Sequence, residues 1–245
     1  MLSGVIKIME NEEINKSILN LWEKSFNGNS MVYAPLFYGN FIKNSILFVG
    51  LNPSFSKEGF DKILRDTEYE NINPEFFYKW SNISKDLNNN ISKCIKIEKY
   101  AVDKYNRFFQ PLKNIANKVN LLFQHVDLFL YRETRQEDFK KSIFKNGKDG
   151  EINKFGLDQV DIFKKIISLV QPKIIIVANA LASDIIRDQF KNLISDFDNK
   201  KGFYWLLQDN QKVPIFFSSM ITGGRLDKYS RERLIWHITQ AIKNT

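Results

Sequence analysis

The chain has few of the residues that build covalent or metal-centred sites. Its 245 residues include one cysteine, Cys94, and two histidines, His125 and His237. A disulfide framework, a cysteine zinc site and an iron–sulfur cluster within one chain are therefore excluded. The two histidines lie far apart in sequence, so a histidine-rich metal site is not expected either. No apolar run approaches the ~20 residues a membrane-spanning helix needs. Met1 to Glu10 is apolar for a few residues and then acidic, without a basic segment leading into a long apolar one. A secretory signal is not expected, and the expected location is the cytoplasm.

What the chain has is enough apolar material for one large core. Hydrophobic residues make up 43% and charged residues 26%, the balance of a globular chain. The length fits one domain spanning residues 1–245. The net charge of +8 suits polyanions such as nucleic acid, which bind through phosphate contacts and counterion release. The abundance of Asn, Lys and Ile gives a second explanation, a compositional bias of the genome.

The hydrophobic pattern alternates between two periods. Helical spacing runs from Asn11 to Phe26, from Leu157 to Val170 and from Asp227 to Asn244, the last with Leu234, Ile235, Ile238 and Ile242 on one face. A helix broken near Pro111 is expected over Lys96 to Val119. Another is expected over Asn179 to Leu193, with Asn179 as its N-cap. Continuous apolar runs at Ser45–Leu51, Asn120–Tyr131 and Pro172–Ala178 read as strands covered on both faces. Two shorter strands, Phe203–Leu207 and Val213–Ser218, flank a turn at Asp209-Asn210. Gly59–Asn90 reads as helix and then loop through Asn88-Asn89-Asn90, and Gln136–Glu151 as a polar, basic surface insertion or a short helix plus loop. Strands alternating with helices predict an α/β fold, a three-layer α/β/α sandwich around a mostly parallel sheet. Ligands of such sheets bind beyond the carboxyl ends of the strands, so the loops after Gly50, Leu130 and Ser218 are the candidates for chemistry.

The first of these loops is Gly50-Leu51-Asn52-Pro53-Ser54. Pro53 fixes its own φ and pushes Asn52 out of the helical region, which holds the Asn52 amide at the mouth of the sheet. There it either orients a water or, with Ser54, caps the start of a helix.

The string Leu47-Phe48-Val49-Gly50-Leu51-Asn52-Pro53 resembles the first motif of the uracil-DNA glycosylase superfamily, a strand ending in Gly-x-Asp/Asn-Pro. The Asn form resembles the mismatch-specific and single-strand-selective branches. Two further segments are similar in order and spacing, Val126–Arg132 and Ile174–Ala182. The resemblance implies a DNA glycosylase-like hydrolase that binds DNA, flips a damaged or modified base and cleaves its N-glycosidic bond. No metal or redox cofactor is implied, and a monomer is expected.

Residue by residue, the resemblance makes Asn52 the group that positions the hydrolytic water. Asp127 falls on the base-reading position, with Gly50, Leu51 and Phe55 beside the base. An ionised carboxylate at Asp127 only accepts hydrogen bonds, which favours amine-bearing edges such as those of cytosine or adenine. Alternatively Asp127 pairs with His125, Arg132 or Arg135.

The second catalytic motif departs from the family pattern. Where a His or Asn is expected, this chain has Ser219 or Met220. Ser219 can donate to the departing base and Met220 cannot. The loop that follows, Gly223 to Arg233, offers Leu226 as an apolar wedge and Arg225, Lys228 and Arg231 as phosphate contacts. It also reads as an ordinary helix start capped by Asp227 or Ser230. The rival to the enzyme is a catalytically silent nucleic-acid-binding or sensing protein on the same scaffold.

Overall fold

A computed structural model describes residues 2–27, 31–148, 150–208, 211–222 and 224–243, with the side chains of residues 2–10 left aside. The chain forms two compact units and passes between them several times. The first comprises Met1–Asn40, Asn52–Tyr105 and Phe129–Lys165, the second Phe41–Leu51, Asn106–Leu128 and Ile166–Thr245.

In chain order the elements are α1 (Leu2–Phe26), β1 (Ile46–Gly50), α2 (Lys57–Leu64), α3 (Pro74–Phe77), α4 (Trp80–Ile83), α5 (Leu87–Lys104), α6 (Asn106–Lys118) and β2 (Phe123–Asp127). There follow α7 (Gln136–Ile143), α8 (Lys154–Val170), β3 (Ile174–Ala178), α9 (Ala180–Gln189), β4 (Tyr204–Gln208), β5 (Gln211–Ser218) and α10 (Lys228–Lys243).

The second unit holds a five-stranded sheet in the order β2-β1-β3-β5-β4. β1 pairs in parallel with β2 and β3, and β3 with β5; β4 alone runs antiparallel, against β5. The protein is thus α/β with a mostly parallel sheet, as the alternating pattern predicts. One face of the sheet carries Ile46, Phe48, Ile174, Ile176 and Phe216, packed with Leu112, Ile115 and Ala116 of α6 and Ile238 and Ala241 of α10. The alternate residues Leu47, Val49, Ile175 and Val177 are equally buried and point to the other face. α9 lies against β3 and β5 with Ala182, Ile185 and Ile186 buried.

Register places Asp127, Gly50, Ala178 and Ser218 in one row across the carboxyl edge of the parallel strands. From β1 the chain departs toward β2 and from β3 toward β5, in opposite directions along the sheet. The topological switch point, where open α/β sheets hold their ligands, therefore lies between β1 and β3.

Several expectations are corrected. The helix expected from Asn11 begins at Leu2. Asn88–Asn90, read as loop, form the first turn of α5, because Asp86 accepts a hydrogen bond from the Asn89 N–H and caps it. The break expected near Pro111 falls at Tyr105, whose ψ of 65° ends α5; Pro111 lies inside α6, early enough to cost one hydrogen bond. The strand expected over Asn120–Tyr131 is paired only over Phe123–Asp127. Leu130 and Tyr131, in the first unit, instead donate their N–H groups to Oε1 of buried Gln159, at 2.8 and 3.1 Å. Asn179 caps α9 as expected, accepting from the Ala182 N–H at 3.0 Å. The turn at Asp209-Asn210 and the position of Gly223 lie outside the described residues.

Candidate functional site

Asp127 closes β2 directly opposite Gly50 of β1. A Cβ built on Gly50 would meet Asp127 Oδ1 at 2.1 Å and His125 Nε2 at 3.2 Å. Gly50 is therefore a seat for the Asp127 carboxylate, and its buried Cα is covered by that side chain. Its neighbour Leu51 is buried as well. Both are expected beside a base; in the structure both are buried at the sheet edge.

His125 shares the strand face of Asp127, with Nε2 4.0 Å from Oδ1. That is beyond hydrogen-bond reach. The imidazole is boxed edge-on by Phe108 and Phe109, with centroids 5.7 and 5.3 Å away. Burial pushes its pKa down to about 4, so at neutral pH it is uncharged. The ion pair with His125 considered for Asp127 is thus not formed at that pH. Asp127 is 7% exposed.

In the first unit, the Asn52 amide is fixed by its NH2 end. Nδ2 donates to the Glu133 carbonyl at 2.7 Å and lies 3.2 Å from those of Tyr131 and Pro53. The NH2 end is consumed in stapling two loop backbones together. Asn52 Oδ1, the acceptor, makes no hydrogen bond to any described residue, and Asn52 stays half-buried. What holds this amide is hydrogen bonding to the Glu133, Tyr131 and Pro53 carbonyls, a clamp that the local effect of the proline ring does not supply. Asn52 caps no helix: Ser56 caps α2, its side chain accepting from the Gly59 N–H.

A pocket of about 380 Å³ opens beside this loop, walled by Tyr33, Phe55, Arg132, Glu133, Thr134 and Arg135. Phe55 stacks on Tyr33 at 4.2 Å and 25°, and on Phe60 at 5.3 Å. Thr134 Oγ1 donates to the Phe55 carbonyl and accepts from the Phe55 N–H at 3.1 Å. Phe55, expected beside a base, is thus held on both its ring and its backbone.

Arg132 enters the sequence reading as the end of the segment Val126–Arg132 and as an alternative partner of Asp127; its partner is Glu98. In the structure it is buried, 3% exposed. Its Nη2 donates to Glu98, its Nε donates to the Ala34 carbonyl at 3.1 Å, and the guanidinium lies 4.6 Å from the centre of the Tyr78 ring. Tyr78 Oη donates to the same Glu98 oxygen at 3.1 Å. Arg132 is therefore charge-balanced by Glu98. Burial and the neighbouring Glu98 hold the Tyr78 phenol well above its ordinary range, and burial pushes the Cys94 thiol up to about 12. Cys94 is no thiolate nucleophile. The signal available in sequence was the abrupt run Arg132-Glu133-Thr134 after an apolar strand.

The second-motif region is in the second unit. Ser219 follows β5 directly, exposed, its hydroxyl bonded to no described residue, and Met220 is half-buried. His237 packs its ring over Gly202, whose φ of 80° and missing Cβ admit it. The expected wedge and one expected phosphate contact are both turned inward. Leu226 packs against the core cluster beneath α10. Arg231 Nη2 reaches back to the Leu226 carbonyl at 3.4 Å, and its Nε is buried. Arg225 and Lys228 are exposed. Asp227 Oδ1 accepts from the Tyr229 and Ser230 N–H groups at 2.9 and 3.0 Å, so this segment is a capped helix start.

No protein-family model matches the chain, and no curated protein matches its sequence. Among the described residues, no group of three His, Cys, Asp or Glu side chains is placed to hold a metal ion, and no helix is long and apolar enough to cross a membrane.

Proposed function

We propose that the protein is a DNA glycosylase-like hydrolase, a divergent three-layer α/β/α member of the uracil-DNA glycosylase superfamily. It binds DNA, flips a damaged or modified base and hydrolyses its N-glycosidic bond. The observation that carries this reading is the Asn52 amide, whose NH2 is committed to backbone carbonyls while Oδ1 is not. A fixed amide oxygen accepts a hydrogen bond from a water and turns a lone pair of that water away from itself. That is positioning more than proton abstraction, because an amide is a very weak base.

In the reaction the water oxygen bonds to C1′ of the sugar and the C1′–N bond breaks. The water gives up one proton and leaves a hydroxyl on C1′, while the bonding pair leaves with the base, which takes up one proton, so the sum is addition of H2O across the C1′–N bond. The exposed Ser219 hydroxyl is the donor offered to the charge developing on the base. Phe55 is itself stacked between Tyr33 and Phe60, so what the pocket offers a flipped base is an aromatic wall to lie against. Asp127 is proposed as the reader of the base edge.

The second reading is a binding protein without catalysis. The absence of His or Asn after β5 and the stapling role of the Asn52 amide favour it. The deciding experiment is an abasic-site assay on oligonucleotides carrying uracil, hypoxanthine, xanthine or modified cytosines. The enzyme reading expects release of at least one base, lost in Asn52→Ala. Release of none makes the protein a binding module.

A further inference from the structure

α10 keeps two large aromatic rings in solvent. Tyr229 is 70% exposed and Trp236 59%. They are seven residues apart, two helical turns, and so stand on one stripe. Exposed Arg233 and Glu232 lie between them on the same stripe, and exposed Lys243 continues it two turns further on. The apolar face of α10 is separate: Leu234, Ile235, Ile238, Ala241 and Ile242 meet the core cluster. The helix is therefore seated correctly, and the two rings face outward by design of the pattern.

The stripe is also well anchored. Trp236 lies edge-to-face on His237, centroids 4.9 Å apart, and His237 sits over Gly202. Asp227 caps the helix, and Arg233 Nη2 lies 3.3 Å from Ser230 Oγ. Upstream, Arg225 and Lys228 add two exposed positive charges; the acidic residues of the segment are Glu232 and the capping Asp227.

We propose that this stripe is a platform for single-stranded nucleic acid, with unpaired bases stacking on Tyr229 and Trp236 and phosphates meeting Arg225, Lys228, Arg233 and Lys243. Rings interleaved with cations suit a strand whose bases are bare, whereas the base faces of a duplex are covered by their neighbours. Charge complementarity favours a polyanion over a second copy of this chain, because the exposed cations Arg225, Lys228, Arg233 and Lys243 outnumber the acidic Asp227 and Glu232 and the chain carries a net charge of +8, which a second copy shares. The proposal deepens the glycosylase reading by naming the strandedness of its substrate, and rests on that reading for the choice of DNA as the polymer.

The test is a titration of the full chain with a fluorescently labelled single-stranded 20-mer and with its duplex, at low and high salt, with sedimentation velocity alongside. The single strand is expected to bind more tightly than the duplex. Tyr229→Ala and Trp236→Ala are each expected to weaken it roughly tenfold, and Arg233→Ala to flatten the salt dependence. All three side chains are at the surface, and a thermal melt checks that each variant is folded. Equal affinity for both forms, or parental binding by the two aromatic variants, overturns the proposal. So does a dimer that dissociates in Trp236→Ala, which would make the stripe a self-interface. Strand binding that depends on Trp236 in a protein that releases no base sinks the glycosylase reading and leaves the platform standing.

Discussion

Asp127 Oδ1 lies where the Cβ of any residue other than glycine at position 50 would stand, 2.1 Å from that point. Two neighbouring strand ends are thereby fitted to each other side chain to backbone, at the carboxyl edge of the sheet.

Gly50→Ala is accordingly expected to destabilise the fold by about 1–3 kcal/mol, the usual cost of forcing atoms into a filled site. Urea unfolding measures it. The double variant Gly50→Ala/Asp127→Ala is expected to recover most of the loss, because the clashing carboxylate is gone. A Gly50→Ala protein as stable as the parent would mean that Asp127 is not seated on Gly50.

His125 makes stability depend on pH. Its folded pKa of about 4 lies below the ordinary 6.5, so between those values the unfolded chain binds the extra proton. The contribution of the neutral buried ring is fully present above pH 6.5 and is lost as pH falls toward 4. The loss is at most about 3 kcal/mol, and the Asp127 carboxylate at 4.0 Å works against it by favouring the charged ring. Unfolding free energies at pH 7 and pH 4.5 should differ less in His125→Gln than in the parent. An unchanged difference would assign the pH dependence to other groups.

Asn52 is not interchangeable with aspartate here, although the motif it resembles admits both. Aspartate would set a carboxylate oxygen against the carbonyls of Glu133, Tyr131 and Pro53 in place of the NH2. Asn52→Asp is expected to cost about 1–3 kcal/mol at pH 7, more than Asn52→Ala, which removes the donor without adding repulsion. Denaturant titrations of the two variants compare them, and the gap should narrow at low pH as the new carboxyl group protonates. Equal stability at pH 7 would show that the staple carries little energy.

Much of the fold is legible locally. The runs Ser45–Leu51 and Pro172–Ala178 declare buried parallel strands because each is apolar without alternation, and Asn179 declares a cap because its side chain reaches only the next turn. These are effects of a residue on its own few neighbours, so composition and order determine them.

Tertiary structure decided what depends on partners distant in the chain. Asn52 spends its amide on Glu133, and buried Arg132 is balanced by Glu98, each a pairing across tens of residues that no local pattern encodes. The same holds for the wedge: Leu226 is apolar in sequence whether it projects or packs, and only the core beneath α10 drew it inward. Sequence periodicity thus set the elements and the polar or apolar character of their faces. Which polar groups remain free for chemistry was set by long-range packing, because a hydrogen bond is used up by whatever partner the fold brings within reach.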